Sequence, residues 1–221
     1  MGIELKQVCY NYKDKETLHE LDLTIQTGES IGIIGASGCG KSTLLKLIAG
    51  LYTPLNGSIL VAGETKPEMI QKKVAIVMQN SLLFPATIRD NITCGHPMSE
   101  EWLQYVCTAA QLNEWINSLP EGIDTFLGER ANELSGGQAQ RIAIARAIAK
   151  NAEVILLDEA TSALDQDTSE AVLEALKELT KGKTVIHVTH RLESLVHCNR
   201  VYAMEGGRLY DKFNEKTSTI L

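Results

Sequence analysis

Eight residues constrain this chain more than any others: Gly35-Ala36-Ser37-Gly38-Cys39-Gly40-Lys41-Ser42. The apolar run Ser30-Ile31-Gly32-Ile33-Ile34 precedes them and reads as a buried strand of a parallel sheet. A helical pattern from Lys41 to Ala49, closed by Gly50, follows them. A strand that turns into a helix through glycines leaves the backbone free to curl. Successive N–H groups then point into one concavity at the positive end of the helix, which suits a polyphosphate. The spacing matches G-x-x-x-x-G-K-[ST] at every fixed position. It puts Lys41 within reach of β- and γ-phosphates and the Ser42 hydroxyl beside Mg²⁺, a hard cation that prefers oxygen. The candidate nucleotide-binding stretch is therefore Gly35, Ser37, Gly38, Cys39, Gly40, Lys41, Ser42 and Thr43. A thiol inside such a loop, Cys39, would crowd the phosphates once alkylated.

Val154-Ile155-Leu156-Leu157-Asp158-Glu159 supplies what such a loop needs opposite it. A buried apolar strand delivers two acids at its C-terminal edge, where open α/β sheets bind ligands. Asp158 is placed to hold Mg²⁺ and Glu159 to accept a proton from an attacking water. The same pair could instead simply cap the next helix.

Other apolar runs organise the rest. Two alternating stretches within residues 3–25 read as antiparallel strands, and residues 57–63 and 73–78 as further strands. From Ile88 to Lys150 strand patterns give way to two helices, one after Ser99 with Glu100 and Glu101 in its first turn, the other Gln138 to Lys150. Strands follow at Val154–Leu157, Thr184–Val188 and Val201–Met204. A helix between the first two places Val172, Leu173, Leu176 and Leu179 on one face. Strands alternating with helices predict a parallel α/β sheet. The helical block 88–150 reads as an inserted subdomain, with 1–87 and 151–221 forming the core of a single domain 1–221.

Composition excludes several classes. With 44% apolar and 22% charged residues the chain is globular rather than disordered. A net charge of −7 argues against a nucleic-acid-coating protein, though not against binding one nucleotide. The five cysteines, Cys9, Cys39, Cys94, Cys107 and Cys198, are odd in number and form no C-x-x-C pair, which speaks against a disulfide framework or a zinc site. No stretch approaches the ~18 uncharged apolar residues of a membrane span. If the chain works at a membrane, something else crosses it.

Leu134-Ser135-Gly136-Gly137-Gln138 opens the second helix, and here the sequence resembles the ATP-binding subunit or domain of ABC transporters over nearly its whole length. The resemblance implies a P-loop NTPase (RecA-like) core with a small antiparallel β subdomain and a helical subdomain. It implies a head-to-tail dimer with a second ABC ATPase domain, identical or closely related. In that dimer Ser135, Gly136, Gly137 and Gln138 of one protomer cap ATP held by the phosphate loop of the other. Tyr12 matches the aromatic residue that stacks on adenine, although Tyr10 could serve instead. Gln79 matches the glutamine that contacts Mg²⁺ and links core to helical subdomain. Asp165, in Ser162-Ala163-Leu164-Asp165, matches the loop that crosses the dimer interface. His190, in Val188-Thr189-His190-Arg191-Leu192, matches the switch histidine of the γ-phosphate, while His187 reads as a strand residue.

Within the family the chain is similar to exporters in Leu83-Phe84-Pro85-Ala86-Thr87-Ile88-Arg89-Asp90-Asn91-Ile92, in Leu127-Gly128-Glu129-Arg130 and in the DEATSALD run from Asp158. It departs from them at Phe126, where an acid is usual, and at Ala131, where glycine is usual. The resemblance implies a Mg²⁺-dependent ATPase on the cytoplasmic face, coupled to the transmembrane domain of an exporter. Lys41, Glu159, Gln79 and His190 would be its catalytic side chains. It leaves open whether the chain is a separate subunit or a domain of a longer one. The competing reading is a soluble ABC-type ATPase acting on DNA or ribosomes. Paired ATP domains or coiled-coil insertions would favour it, and this chain shows neither, while its charge is wrong for nucleic acid.

Overall fold

A computed structural model describes residues 1–12, 15–79, 82–128, 134–160, 166–190 and 195–212. The chain forms two compact units, Met1–Ile76 with Ala152–Glu159 and Gly182–Leu221, and Val77–Asn151 with Ala160–Lys181.

The first unit holds two sheets. Strands β1 (Ile3–Tyr12), β2 (Lys15–Ile25) and β4 (Asn56–Val61) form an antiparallel sheet in the order β2-β1-β4. Its apolar residues do not keep a strict period of two, because the strands bulge. Ile3 and Leu5 are buried, and so is Val8, three positions further on; Gln7 between them has φ 49° and a register shift. The Gln7 backbone N–H and side-chain amide both donate to Asp22. On β2, Glu20 (φ 46°) resets the phase between buried Leu18 and Leu21 in the same way. One extra residue per bulge keeps both halves of each strand facing the core.

The second sheet has the order β5-β6-β7-β3-β8-β9, with β3 (Ser30–Ile34), β5 (Val74–Val77), β6 (Val154–Asp158), β7 (Thr184–Val188), β8 (Arg200–Glu205) and β9 (Arg208–Asp211). β3 runs parallel to β7 and β8, β6 parallel to β7, and β9 returns antiparallel to β8. Every residue of β7 and the first four of β6 are buried, as expected of parallel strands covered on both faces. Helix α1 (Lys41–Ile48) buries Leu44, Leu45, Leu47 and Ile48 in a core shared with both sheets. A short helix α2 (Pro67–Lys73), with proline in its first turn, and the four-residue β9 were not foreseen in the sequence.

The second unit is helical: α3 (Ile88–Thr93), α4 (Glu100–Ala109), α5 (Asn113–Asn117), a 3₁₀ turn at Gly122–Asp124, α6 (Gly136–Lys150) and α7 (Gln166–Thr180). Thr87 and Ser99 cap α3 and α4 by accepting from Asp90 and Trp102 N–H groups. α6 is the central helix. It buries Ile142, Ala143, Ile144, Ala145, Ala147 and Ile148, and α3, α4 and α7 pack on it. Arg89 ties α3 to α4 and the 3₁₀ turn through Glu100 and Asp124, both at 2.7 Å. The boundary of this unit differs from the 88–150 block drawn from the sequence, because α7 packs against α6 and α4. The α7 stripe differs too. Val172, Ala175, Leu176 and Leu179 are buried, whereas Leu173 is exposed. Among the described residues no helix is long and apolar enough to cross a membrane.

Candidate functional site

The parallel sheet brings the C-terminal ends of β3, β7 and β6 side by side, and the candidate residues of the phosphate loop and the two acids lie there. Residues 35–40 form the loop between β3 and α1. Two of its glycines leave no room for a side chain. A Cβ on Gly35 would stand 2.3 Å from the Met204 carbonyl oxygen, and one on Gly40 would stand 2.7 Å from a Leu18 methyl at a φ of +113°. Gly40 is the N-cap of α1 and offers no side-chain cap, so the first N–H groups of that helix stay available to an anion. Ser37, Gly38 and Ser42 are exposed at the loop surface, Thr43 is half-buried one residue into the helix, and Cys39 is half-buried against the core.

Lys41 is buried, and its ammonium lies inside the loop. Nζ donates to the carbonyls of Gly35 (2.7 Å) and Ala36 (2.8 Å) and stands 3.8 Å from the Cys39 sulfur. The loop's own carbonyls thus hold the cation within the loop.

Asp158 ends β6, half-buried, and the Ser42 hydroxyl hydrogen-bonds its carboxylate. Burial holds the Asp158 carboxyl above its ordinary pKa. The Ser42 bond works against this, the Glu159 charge reinforces it, and Lys41 and Lys46 pull it down again. Two hard oxygen donors, one of them a carboxylate whose ionised form is short of compensating charge, fit Mg²⁺. Lys46, a turn beyond Ser42 on α1, is a charge near the site that no sequence motif marked. Its ammonium also lies 5.6 Å from the Tyr52 ring centroid.

Glu159 follows with a left-handed backbone, φ 50°, which a side chain with a Cβ adopts only at a cost. Its N–H donates to the carbonyl of Val188 at 2.9 Å, and its Oε2 lies 3.5 Å from Nδ1 of His190. Thr189, between them, donates its N–H to Ile33 of β3 at 3.2 Å. The end of β7 therefore touches both the strand that feeds the phosphate loop and the acid at the end of β6.

Tyr10 and Tyr12 differ in what surrounds them. Tyr10 stacks on Tyr52 with centroids 5.2 Å apart and planes 4° from parallel, whereas Tyr12, at the end of β1, is 55% exposed.

Gln79 and the Ser135–Gln138 run belong to the helical unit. Gln79 is exposed just after β5. Ser135 caps α6 in a reciprocal arrangement. Its Oγ accepts from the Gln138 N–H at 3.2 Å, and its own N–H donates to the Gln138 side-chain oxygen at 3.0 Å. Asp165 and the rest of its loop, and Glu129 to Ala131, Arg191 and Leu192, lie outside the described residues.

Comparisons with known proteins agree with one another. A family model described as ABC transporter matches residues 18–162. The toxin RTX-I translocation ATP-binding protein of Actinobacillus pleuropneumoniae is 39% identical over 97% of this chain and 31% of its own length. A putative multidrug export ATP-binding/permease protein of Bacillus subtilis is 40% identical over 95% of this chain and 37% of its own. Among solved structures, a bacterial Atm1-family ABC exporter with ATP bound superposes with a TM-score of 0.86 at 35% identity, over 94% of this chain and 38% of that one. The chain thus spans about a third of the length of these relatives.

Proposed function

The chain belongs to the ABC transporter family, and from that premise we propose that it hydrolyses ATP to drive export through a transmembrane partner. The observation that carries the reading is the single sheet edge on which the phosphate loop, the Ser42–Asp158 pair and the Glu159–His190 pair meet.

The roles follow from position. N–H groups of residues 38–42 and the Lys41 ammonium hold the β- and γ-phosphates. Ser42 and Asp158 hold Mg²⁺, with the Gln79 amide as a further oxygen ligand. Bound there, the cation neutralises charge on the phosphate oxygens. Glu159 takes a proton from the attacking water as the water oxygen bonds to the γ-phosphorus and the bond to the β–γ bridging oxygen breaks, leaving ADP. His190 holds the Glu159 carboxylate and meets the γ-phosphate. Tyr12, whose ring is exposed while Tyr10 is taken up by Tyr52, stacks on adenine. Ser135 and the N–H groups of Gly136 and Gly137 cap the ATP of a second copy or close relative, with Gln138 completing the cap and Asp165 crossing the interface. Loss of the γ-phosphate then removes the group both protomers hold.

Export is supported by the relatives, whose names describe translocation and multidrug export. It is also supported by apolar side chains on the helical unit. Leu82, Phe84 and Phe126 are 78%, 53% and 58% exposed. Their segments are joined by the Thr87–Phe126 bridge and a Leu127 N–H bond to Ala86 at 3.0 Å. Exposed apolar clusters of this kind mark interaction surfaces, here for the transmembrane domain on the cytoplasmic side.

Phosphate release with and without Mg²⁺ tests the enzymatic reading, and Lys41→Ala should abolish it. Tagged Glu159→Gln protein, solubilised from native membranes with ATP and Mg²⁺, tests the transport reading. A multi-span membrane protein, fused or co-purifying, is expected. A soluble partner alone would overturn transport.

A further inference from the structure

One side-chain cluster in the helical unit plays no part in the chemistry above. Asn91 on α3 is fully buried and uses every hydrogen-bonding position of its amide. Its Nδ2 donates to the carbonyls of Phe84 and Thr87, both at 3.0 Å, and its Oδ1 accepts from the Phe84 N–H at 2.8 Å and from Arg146 at 3.3 Å. Arg146, on α6, closes the cluster. Its Nε donates to the Asn91 carbonyl at 2.8 Å and its Nη1 to the Leu82 carbonyl at 3.2 Å, and its guanidinium carbon lies 5.2 Å from the Phe84 ring centroid.

Burial pulls the Arg146 pKa below its ordinary value. Among the described residues its charge is met by carbonyl oxygens, an amide oxygen and an aromatic face, not by a carboxylate. A planar guanidinium can span these acceptors and stack in one orientation, which an ammonium cannot. The segment it grips carries exposed Leu82 and Phe84. The helix it stands on begins at Ser135, and Arg146 lies about 15 Å along it from Gly136 at the rise of an α-helix. A satisfied buried network is stiff and has few alternative arrangements.

We infer that Arg146 is a positioning residue that makes the Leu82–Asn91 segment and the Ser135 end of α6 move as one body, so that ATP capped at one end is felt at the partner-facing residues of the other. This rests on the reading that Ser135 to Gly137 meet ATP. Spatial continuity alone does not establish coupling, so the test measures it.

The experiment follows amide hydrogen exchange in the 221-residue Glu159→Gln protein, with and without ATP and Mg²⁺. Two probes are read, the Gly136 and Gly137 amides and the Phe84 amide, whose N–H is bonded to Asn91. ATP should slow exchange at both. With Arg146→Lys added, the slowing at Gly136 and Gly137 should remain and the slowing at Phe84 should be lost. A Phe84 response that survives Arg146→Lys overturns the inference. So does a parent protein in which Gly136 and Gly137 respond and Phe84 does not. If neither probe responds in the parent while ATP still binds, the capping role of Ser135 fails and the inference falls with it. Should Arg146→Lys not fold, Arg146→Met keeps the volume of the side chain without its hydrogen bonds to Asn91 and Leu82, and a Phe84 response that survives it is equally fatal.

Discussion

Nδ1 of His190 lies 3.5 Å from Oε2 of Glu159, while the Glu159 N–H is bound at 2.9 Å to Val188 on the same strand end as that histidine. Backbone and side chain of the acid are thus both fixed from β7, and the backbone is fixed at a positive φ. Glu159→Gln keeps this geometry but cannot take a proton. It should bind ATP, lose about 10²–10⁴-fold in turnover and accumulate as a dimer. Phosphate release and size-exclusion with ATP check this, and wild-type turnover would remove the general-base role. Glu159→Gly should be equally inactive yet about 1 kcal/mol more stable, because glycine relieves the left-handed backbone. Urea unfolding of the two variants separates strain from chemistry.

Asp158→Asn should trade function for stability in a similar way. Burial disfavours the carboxylate, so removing the charge should raise Tm. The same change should abolish Mg²⁺-dependent hydrolysis, since the Ser42–Asp158 oxygen pair loses its anion. A variant with lowered Tm and intact hydrolysis would contradict both halves.

Glu29 and Arg200 make a pH-sensitive tie at the opposite end of the parallel strands. Arg200 donates to both Glu29 oxygens, at 2.6 and 3.0 Å, and to the Tyr202 hydroxyl and Thr24 carbonyl. Burial pushes the Glu29 carboxyl up, but the Arg200 and Gln26 hydrogen bonds and the Arg200 charge outweigh it, leaving the pKa below its ordinary value. A depressed carboxyl contributes stability above its unfolded pKa and loses it as pH falls through the folded one. Glu29→Gln should therefore cost about 2 kcal/mol at neutral pH. The gap to wild type should close in acid, as denaturant curves at several pH values would show.

Thiol modification should discriminate sharply among the cysteines. Burial pushes the Cys107 thiol up to about 11, so it should stay inert at neutral pH. Cys39 stands 3.8 Å from the Lys41 ammonium. Maleimide should inhibit hydrolysis, ATP should protect, and Cys39→Ala should be insensitive. Mass mapping of the labelled chain reads out each site.

The two tyrosines should separate by readout. Tyr12→Ala should weaken ATP binding by about 1–3 kcal/mol, with little change in Tm. Tyr10→Ala should lower Tm, because it removes the Tyr52 stack. The reverse pattern in ATP titrations and thermal melts would reassign the adenine contact.

The phosphate loop, the acid-bearing strand and the Ser-capped helix were legible in the sequence because each is a local pattern of a few adjacent residues. The parallel strands were legible because burial on both faces leaves uninterrupted apolar runs such as Val154–Leu157. What escaped was set by distant contacts or by brevity. β9 is four residues long behind Gly206-Gly207, too short to show a period. Leu173 looks like a core residue on a helical wheel, yet the buried face of α7 is Val172, Ala175, Leu176 and Leu179. Asn91 stands beside Ile92 in an apolar stripe, and nothing local says that its amide will knit a segment to a helix some fifty residues on. Glu159 reads as an acid after a strand. Its positive φ is visible only once Val188 is in place.

The reciprocal cap at Ser135 has a stoichiometric consequence. An α-helix begins with four backbone donors that its own ladder cannot use. Here the Ser135 donor is spent on the Gln138 side chain and the Gln138 donor on the Ser135 hydroxyl. Among the described residues, that leaves the donors of Gly136 and Gly137, the two positions with no side chain to stand in front of them. Of these two residues Gly136 is exposed and Gly137 buried, so one open and one covered donor are all that the helix end holds in reserve.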